Sequence, residues 1–104
     1  MTENKASTIE KIAVRNNITP PGLYKVIFIN DDVTTMEFVI AVLVEIFSHS
    51  EEGALELTKS IHQEGAAVVA VLPYEIAEQK ALEVTLMARN ANFPLTVKIE
   101  EANS

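Results

Sequence analysis

The sequence predicts an α+β fold: a two-layer β-α-α-β-α-β sandwich with three helices packed on a three-stranded antiparallel sheet. Two observations carry that prediction. Three short runs rich in β-branched, aromatic or alternating apolar residues, at 23–30, 66–72 and 95–100, are separated by segments with helical spacing. At 104 residues with 48% hydrophobic residues, the chain is also long and apolar enough for one core.

Residues 1–20 are polar, lack periodicity and end at Pro20-Pro21-Gly22, which predicts a flexible N-terminal arm before a folded domain over 21–104. "LYKVIFIN" (23–30) reads as the first strand. Thr34, with Glu37 three positions later, matches a capping box and places a helix start near residue 35. Met36, Val39, Ile40, Leu43, Ile46 and Phe47 continue it at helical spacing to about Ser48. Apolar around much of its girth, this helix is expected to lie centrally.

Ser50 before Glu51 and Glu52 caps a second helix, with Leu55, Thr58, Ile61 and His62 on one side and Gly65 as its stop. "AAVVAVL" (66–72) reads as a buried strand. Pro73 opens a third helix, where its missing N–H costs nothing, and that helix runs to about Asn90. "LTVKIE" (95–100) alternates as an edge or half-exposed strand does.

Charge and composition narrow the function. The chain carries a net charge of −7; Lys5, Lys11 and Arg15 against Glu3 and Glu10 leave the first twenty residues at +1 and the remainder at −8. That balance argues against binding a nucleic-acid backbone and favours a cationic ligand or a basic partner surface. The absence of cysteine removes disulfides, thiolate nucleophiles and cysteine zinc sites, and fits a reducing cytoplasm. No apolar run approaches a membrane span.

The chemistry gathers at "FINDDVTTMEF" (28–38), where a strand stops at Asn30, Asp31 and Asp32 just before a helix. An Asx turn satisfying backbone donors is one reading, and acceptors for an amino group are another. Nothing resembles the twelve-residue calcium loop, and neighbouring carboxylates on an extended segment point apart, which disfavours metal binding and paired acid–base work. His62 lies one helical turn from Thr58 on an otherwise apolar face; a lone histidine there is commonly structural. Joined to an asparagine and carboxylates, it could receive the three donors of an ammonium group. No glycine-framed serine or cysteine supports a nucleophilic triad. His49, at the end of the first helix, needs no more than a favourable dipole position. Met36, in the first turn beside the polar corner, suits either core or an adaptable pocket wall. Glu75 and Lys80 read as a solvated helix face.

"PPGLYKVIFINDDVTTMEFVIAVL", "SIHQEGAAVVAVL", "EIAEQKALEV" and "FPLTVKIEEA" together resemble the ClpS adaptors of the bacterial Clp protease over about residues 20–102. The NDD-x-T-x-MEFV run combined with the downstream H-x-x-G carries the likeness. The resemblance implies a monomeric cytoplasmic adaptor with no catalytic activity, cofactor or metal. It binds proteins with Leu, Phe, Tyr or Trp as first residue and hands these N-degron substrates to an AAA+ unfoldase such as ClpA. By position, Asn30, Asp31 and His62 would hold the α-amino group, partly through water, and Asp32 and Thr34 the peptide just beyond. Met36, Val39, Thr58, Ile61 and Leu95 would line the side-chain pocket, with Met36 excluding β-branched first residues. Glu75 and Lys80 would dock on the unfoldase N-domain, and the arm would engage the unfoldase channel.

Two positions depart from the family pattern. Thr58 stands where well-known members carry methionine, implying a wider or partly polar pocket. Pro73 replaces the usual capping residue. The alternative is an interaction domain that docks on the unfoldase and modulates or inhibits delivery without carrying substrate.

Overall fold

The computed structural model describes residues 22–103. The expected arm and its boundary at Pro20-Pro21 lie outside the described residues. The element order is β1 (Leu23–Ile29), α1 (Met36–Glu45), α2 (Glu51–Glu64), β2 (Ala66–Pro73), α3 (Tyr74–Asn90) and β3 (Thr96–Glu101). The strands form one antiparallel sheet in the order β2-β1-β3.

β1 is the central strand, and its alternation turns Val26 and Phe28, both fully buried, towards the helices. They join Val42, Leu43, Val84 and Leu95 at the centre of the core. Between β1 and β2 the register shifts at Val26/Ile27: Val26 faces Ala70 and Ile27 faces Val68, so Val69 is the extra residue of a bulge. β3 pairs with β1 without a shift, from Tyr24↔Glu101 to Ile29↔Thr96.

Four local expectations are corrected. The cap of α1 is Thr35, whose side chain accepts from the Phe38 N–H at 3.2 Å. Thr34 cannot serve, because its hydroxyl is donated to Asp31. α1 also stops at Glu45 and not near Ser48; Ser48 has φ +60, a reversal that a helix cannot continue. It is α3, and not α1, that packs across all three strands, while α1 packs chiefly against α2. β2 is an edge strand: only Val69 is fully buried, and Val68 and Val71 are 42% and 46% exposed. These two valines oppose Ile27 and Lys25 on the sheet face turned away from the helices. An uncharged apolar run reads alike whether one face or two are covered.

Pro73 closes β2 and stands just before α3, which begins at Tyr74; the Tyr74 N–H donates to the Gly22 carbonyl instead of being absent. α2 follows expectation at both ends. Ser50 Oγ accepts from the Gly53 N–H at 3.0 Å, and Gly65 ends the helix at φ +90, a conformation that glycine adopts without penalty.

Candidate functional site

The corner after β1 is built around one carboxylate. Asp31 Oδ1 accepts from the Val33 N–H at 2.8 Å and the Thr34 N–H at 2.6 Å, and Oδ2 accepts the Thr34 hydroxyl at 2.7 Å. Partial burial works to raise the Asp31 pKa, but the hydrogen bonds from Thr34 and Val33, aided by the charge of Arg89, outweigh it and hold the group below 3.8. The carboxylate is therefore ionised near neutral pH, and its Oδ2 retains lone-pair capacity beyond the Thr34 bond.

The neighbouring Asn30 N–H donates to the Gly65 carbonyl at 2.9 Å, tying the corner to the end of α2. The C-terminal end of a helix carries partial negative charge, favourable to a cation placed beside it. His62 stands in the last turn of α2, exposed, and makes no hydrogen bond among the described residues.

These elements enclose a pocket of about 210 Å³ lined by Asn30, Asp31, Asp32, Thr34, Met36, Val39, Thr58, Ile61 and His62. One end offers an amide, two carboxylates and an imidazole; the other offers thioether and aliphatic surface. Met36 is 42% exposed at this pocket, whereas Val39 and Ile61 are buried wall residues. Thr58 is 3% exposed, and its hydroxyl donates to the Ala54 carbonyl at 2.7 Å. That bond spends the hydroxyl's one donor on its own helix. The side chain at Thr58 is smaller than a methionine would be at this wall.

The remaining expected site residues lie elsewhere. Leu95 is 1% exposed in the core cluster that also holds Val39 and Ile61, and it does not line the pocket. Leu55, expected to share a face with His62, lines a different hollow. The two residues are separated by about 10 Å along the helix axis, so one side of α2 serves two cavities. Glu75 is exposed in the first turn of α3. Lys80 is not free on a solvated face: its Nζ donates to the Ile46 carbonyl at 2.8 Å and lies 5.9 Å from the centre of the Phe47 ring. Lys80 thereby ties the end of α1 to α3.

The hollow that Leu55 lines is larger, about 570 Å³, between α1 and α2, with Ile40, Ala41 and Val44 beside Glu37, Glu45, Glu51 and Glu52. It brings together no amide or imidazole and is open along its length. The smaller pocket is the better site, because convergent acceptors meet an apolar wall there. Among the described residues no group of three or more histidine, aspartate or glutamate side chains is placed to hold a metal, and no helix is long and apolar enough to cross a membrane.

Two side-chain roles lie outside the sequence expectations, which give His49 only a dipole position and assign nothing to Arg89. His49 Nε2 donates to the Val69 carbonyl at 2.7 Å, pinning the bulge of β2 to the α1–α2 connection. Arg89 Nη1 donates to the carbonyls of Phe93 and Leu95. All three bonds end on backbone carbonyls, which leave no signature in side-chain patterns.

Comparison with known proteins identifies the family and the fold. The family model described as ATP-dependent Clp protease adaptor protein ClpS matches residues 19–98. The chain is 44% identical over 93 residues to the ATP-dependent Clp protease adapter protein ClpS of Nautilia profundicola, covering 88% of this chain and 96% of that protein. It is 45% identical over 89 residues to that of Sodalis glossinidius, covering 86% and 84% respectively. The structure of Agrobacterium tumefaciens ClpS2 bound to L-phenylalaninamide superposes with a TM-score of 0.74 at 43% identity, covering 78% of this chain and 98% of that one.

Proposed function

The chain belongs to the ClpS family of ATP-dependent Clp protease adaptors, and from that premise we propose that it is an N-degron adaptor. It binds proteins whose first residue is Leu, Phe, Tyr or Trp and delivers them, as a cytoplasmic monomer, to a Clp AAA+ unfoldase such as ClpA. The observation that carries this reading is the single pocket in which Asn30, Asp31 and His62 converge beside Met36, Val39, Thr58 and Ile61.

An α-amino group is largely cationic at neutral pH and occurs once per chain, so acceptors placed around it read the terminus itself. Asn30 Oδ1, Asp31 Oδ2 and the His62 ring are the acceptors, directly or through water, and the end of α2 adds its partial charge. Asp32 and Thr34 stand beside them for the backbone just past the first residue. The apolar end reads side-chain identity by burial, about 25 cal/mol per Å² removed from water. Leu95 supports this wall from the core behind it. Met36 stands at the opening, where a branch at Cβ of the first residue would meet it. L-Phenylalaninamide, the ligand of the Agrobacterium relative, combines a free α-amine, a bulky apolar side chain and an uncharged amide in one small molecule, which supports the same use here.

Docking on the unfoldase N-domain is assigned to the face of α3 that carries Glu75 and Lys80. Because Lys80 already holds the Ile46 carbonyl, a partner carboxylate there would share or replace that bond. Nothing in the pocket is arranged for bond making, and the role is one of binding and transfer.

The test is a titration of labelled peptides beginning with Leu, Phe, Tyr, Trp and Val, each free and acetylated. Free bulky termini bind, valine binds poorly, and acetylation weakens binding by about 100-fold or more, because buried acceptors are left unpaired. Equal binding of free and acetylated peptides would overturn the reading.

A further inference from the structure

We propose that Arg89 is a positioning residue of the terminus pocket, fixing the α3–β3 turn against α1 and thereby setting the wall that the first side chain meets. The inference rests on the proposed role of the pocket.

The turn from Ala91 to Leu95 is held at its start by backbone bonds, from the Ala91 N–H to the Met87 and Ala88 carbonyls and from the Asn92 N–H to the Arg89 carbonyl, while its later half is met by a side chain. Asn92 adopts φ +64, reversing the chain just after α3. Phe93 N–H returns to the Ala88 carbonyl at 2.8 Å, while Pro94 has no N–H to give. The carbonyls of Phe93 and Leu95 both turn back towards α3, and one guanidinium nitrogen of Arg89 meets them at 2.8 and 3.0 Å. The two N–H groups of Nη1 serve one carbonyl each in directions fixed by the guanidinium plane, whereas the three donors of a lysine ammonium rotate freely and are less pre-organised for the pair.

The clamped turn reaches the pocket by two routes. The Phe93 ring packs edge-to-face on Phe38, with centroids 5.1 Å apart and planes at 65°. Phe38 belongs to the first turn of α1, beside the pocket residues Met36 and Val39. Leu95, held by the second bond, sits in the same core cluster as Val39 and Ile61. A third connection is electrostatic: Asp31, whose burial is outweighed by its bonds from Thr34 and Val33, also feels the positive charge of Arg89. Arg89 therefore hydrogen-bonds to no lining residue among the described residues and yet bears on α1, the core behind the wall and the acidic corner.

The experiment compares the full chain with Arg89→Gln and Arg89→Lys. Affinity for L-phenylalaninamide is measured by calorimetry, and amide and ring NMR shifts are measured without ligand. Arg89→Gln weakens binding about three- to tenfold, the factor for losing one ordinary hydrogen bond's worth of organisation. Arg89→Lys, which keeps the charge and one bond, falls between Gln and wild type. In the free Gln variant the Phe38 ring and the Val33 and Thr34 amides shift. A lowered melting temperature with wild-type affinity and unmoved shifts would mean a stabilising role only and would overturn the proposal. Should Arg89→Gln fail to fold, Arg89→Lys decides by the same readouts. If the wild type itself does not bind phenylalaninamide, the proposed function falls, while the Phe38 and Thr34 shifts still decide the role of Arg89.

Discussion

His49 and His62 flank α2, one just before its first turn and one in its last, and the same side chain is put to opposite uses. His49 is half-buried and gives its Nε2–H to the Val69 carbonyl. That bond fixes its tautomer and spends the ring on holding a bulge. His62 is exposed at the mouth of the pocket, and among the described residues it has no hydrogen-bond partner. Its acceptor nitrogen is left for something outside the fold. The difference teaches that a histidine on a small domain is assigned by where its second nitrogen can go. Helical position alone places both near helix ends and does not separate them.

The largest effect that sharpens this contrast is on binding. His62→Ala removes one acceptor of a charged amine and weakens binding of a Phe-initiated peptide by about 10- to 100-fold. Its folding stability stays within about 0.5 kcal/mol, as for other exposed positions. Wild-type affinity in this variant would break the contrast. His49→Ala reverses the pattern: it lowers stability by about 1–2 kcal/mol in denaturant melts, because the Val69 carbonyl loses its donor, and leaves peptide affinity alone.

A change of pH bears on the corner that His62 faces. Hydrogen bonds from Thr34 and Val33 outweigh the burial of Asp31 and hold its pKa below the ordinary carboxylate value. Its contribution to stability is present above the unfolded value of about 3.9 and is lost only as pH falls through the lower folded value. Acid denaturation that is unchanged in Asp31→Asn would contradict this bonding at the corner. The smallest effect is at Thr58. Thr58→Met fills the wall and changes the ratio of Phe to Leu affinity by about fourfold, the scale of one or two buried methylene groups, without altering the penalty for acetylation. An unchanged order would place Thr58 outside the contact.

Much of this was legible because local rules and fold agree. Ser50, Gly65 and the three strand runs punctuate the chain where the structure turns, and Asn30, Asp31 and His62 were singled out before their proximity was visible. The misses have physical causes. Thr34 and Thr35 are both placed to cap α1, and Asp31 decides between them by capturing the Thr34 hydroxyl. The apolar run of β2 does not reveal whether one face or two are covered. The Thr58 hydroxyl donates to the Ala54 carbonyl one turn back in its own helix, a bond that the residue type alone does not announce. The work of Lys80, Arg89 and His49 runs to backbone carbonyls brought near by tertiary folding, for which sequence spacing has no template.

The central claim is that one pocket reads both the free amine and the first side chain. A structure of the chain with a bound Phe-initiated peptide tests it most directly. The account predicts the amine about 2.7–3.2 Å from Asn30 Oδ1, from Asp31 Oδ2 and from the His62 ring, or bridged to them by one water. The phenyl ring lies against Met36, Val39, Ile61 and Thr58. A peptide seated in the α1–α2 hollow beside Leu55, or one whose amine faces solvent away from Asn30 and His62, would contradict it.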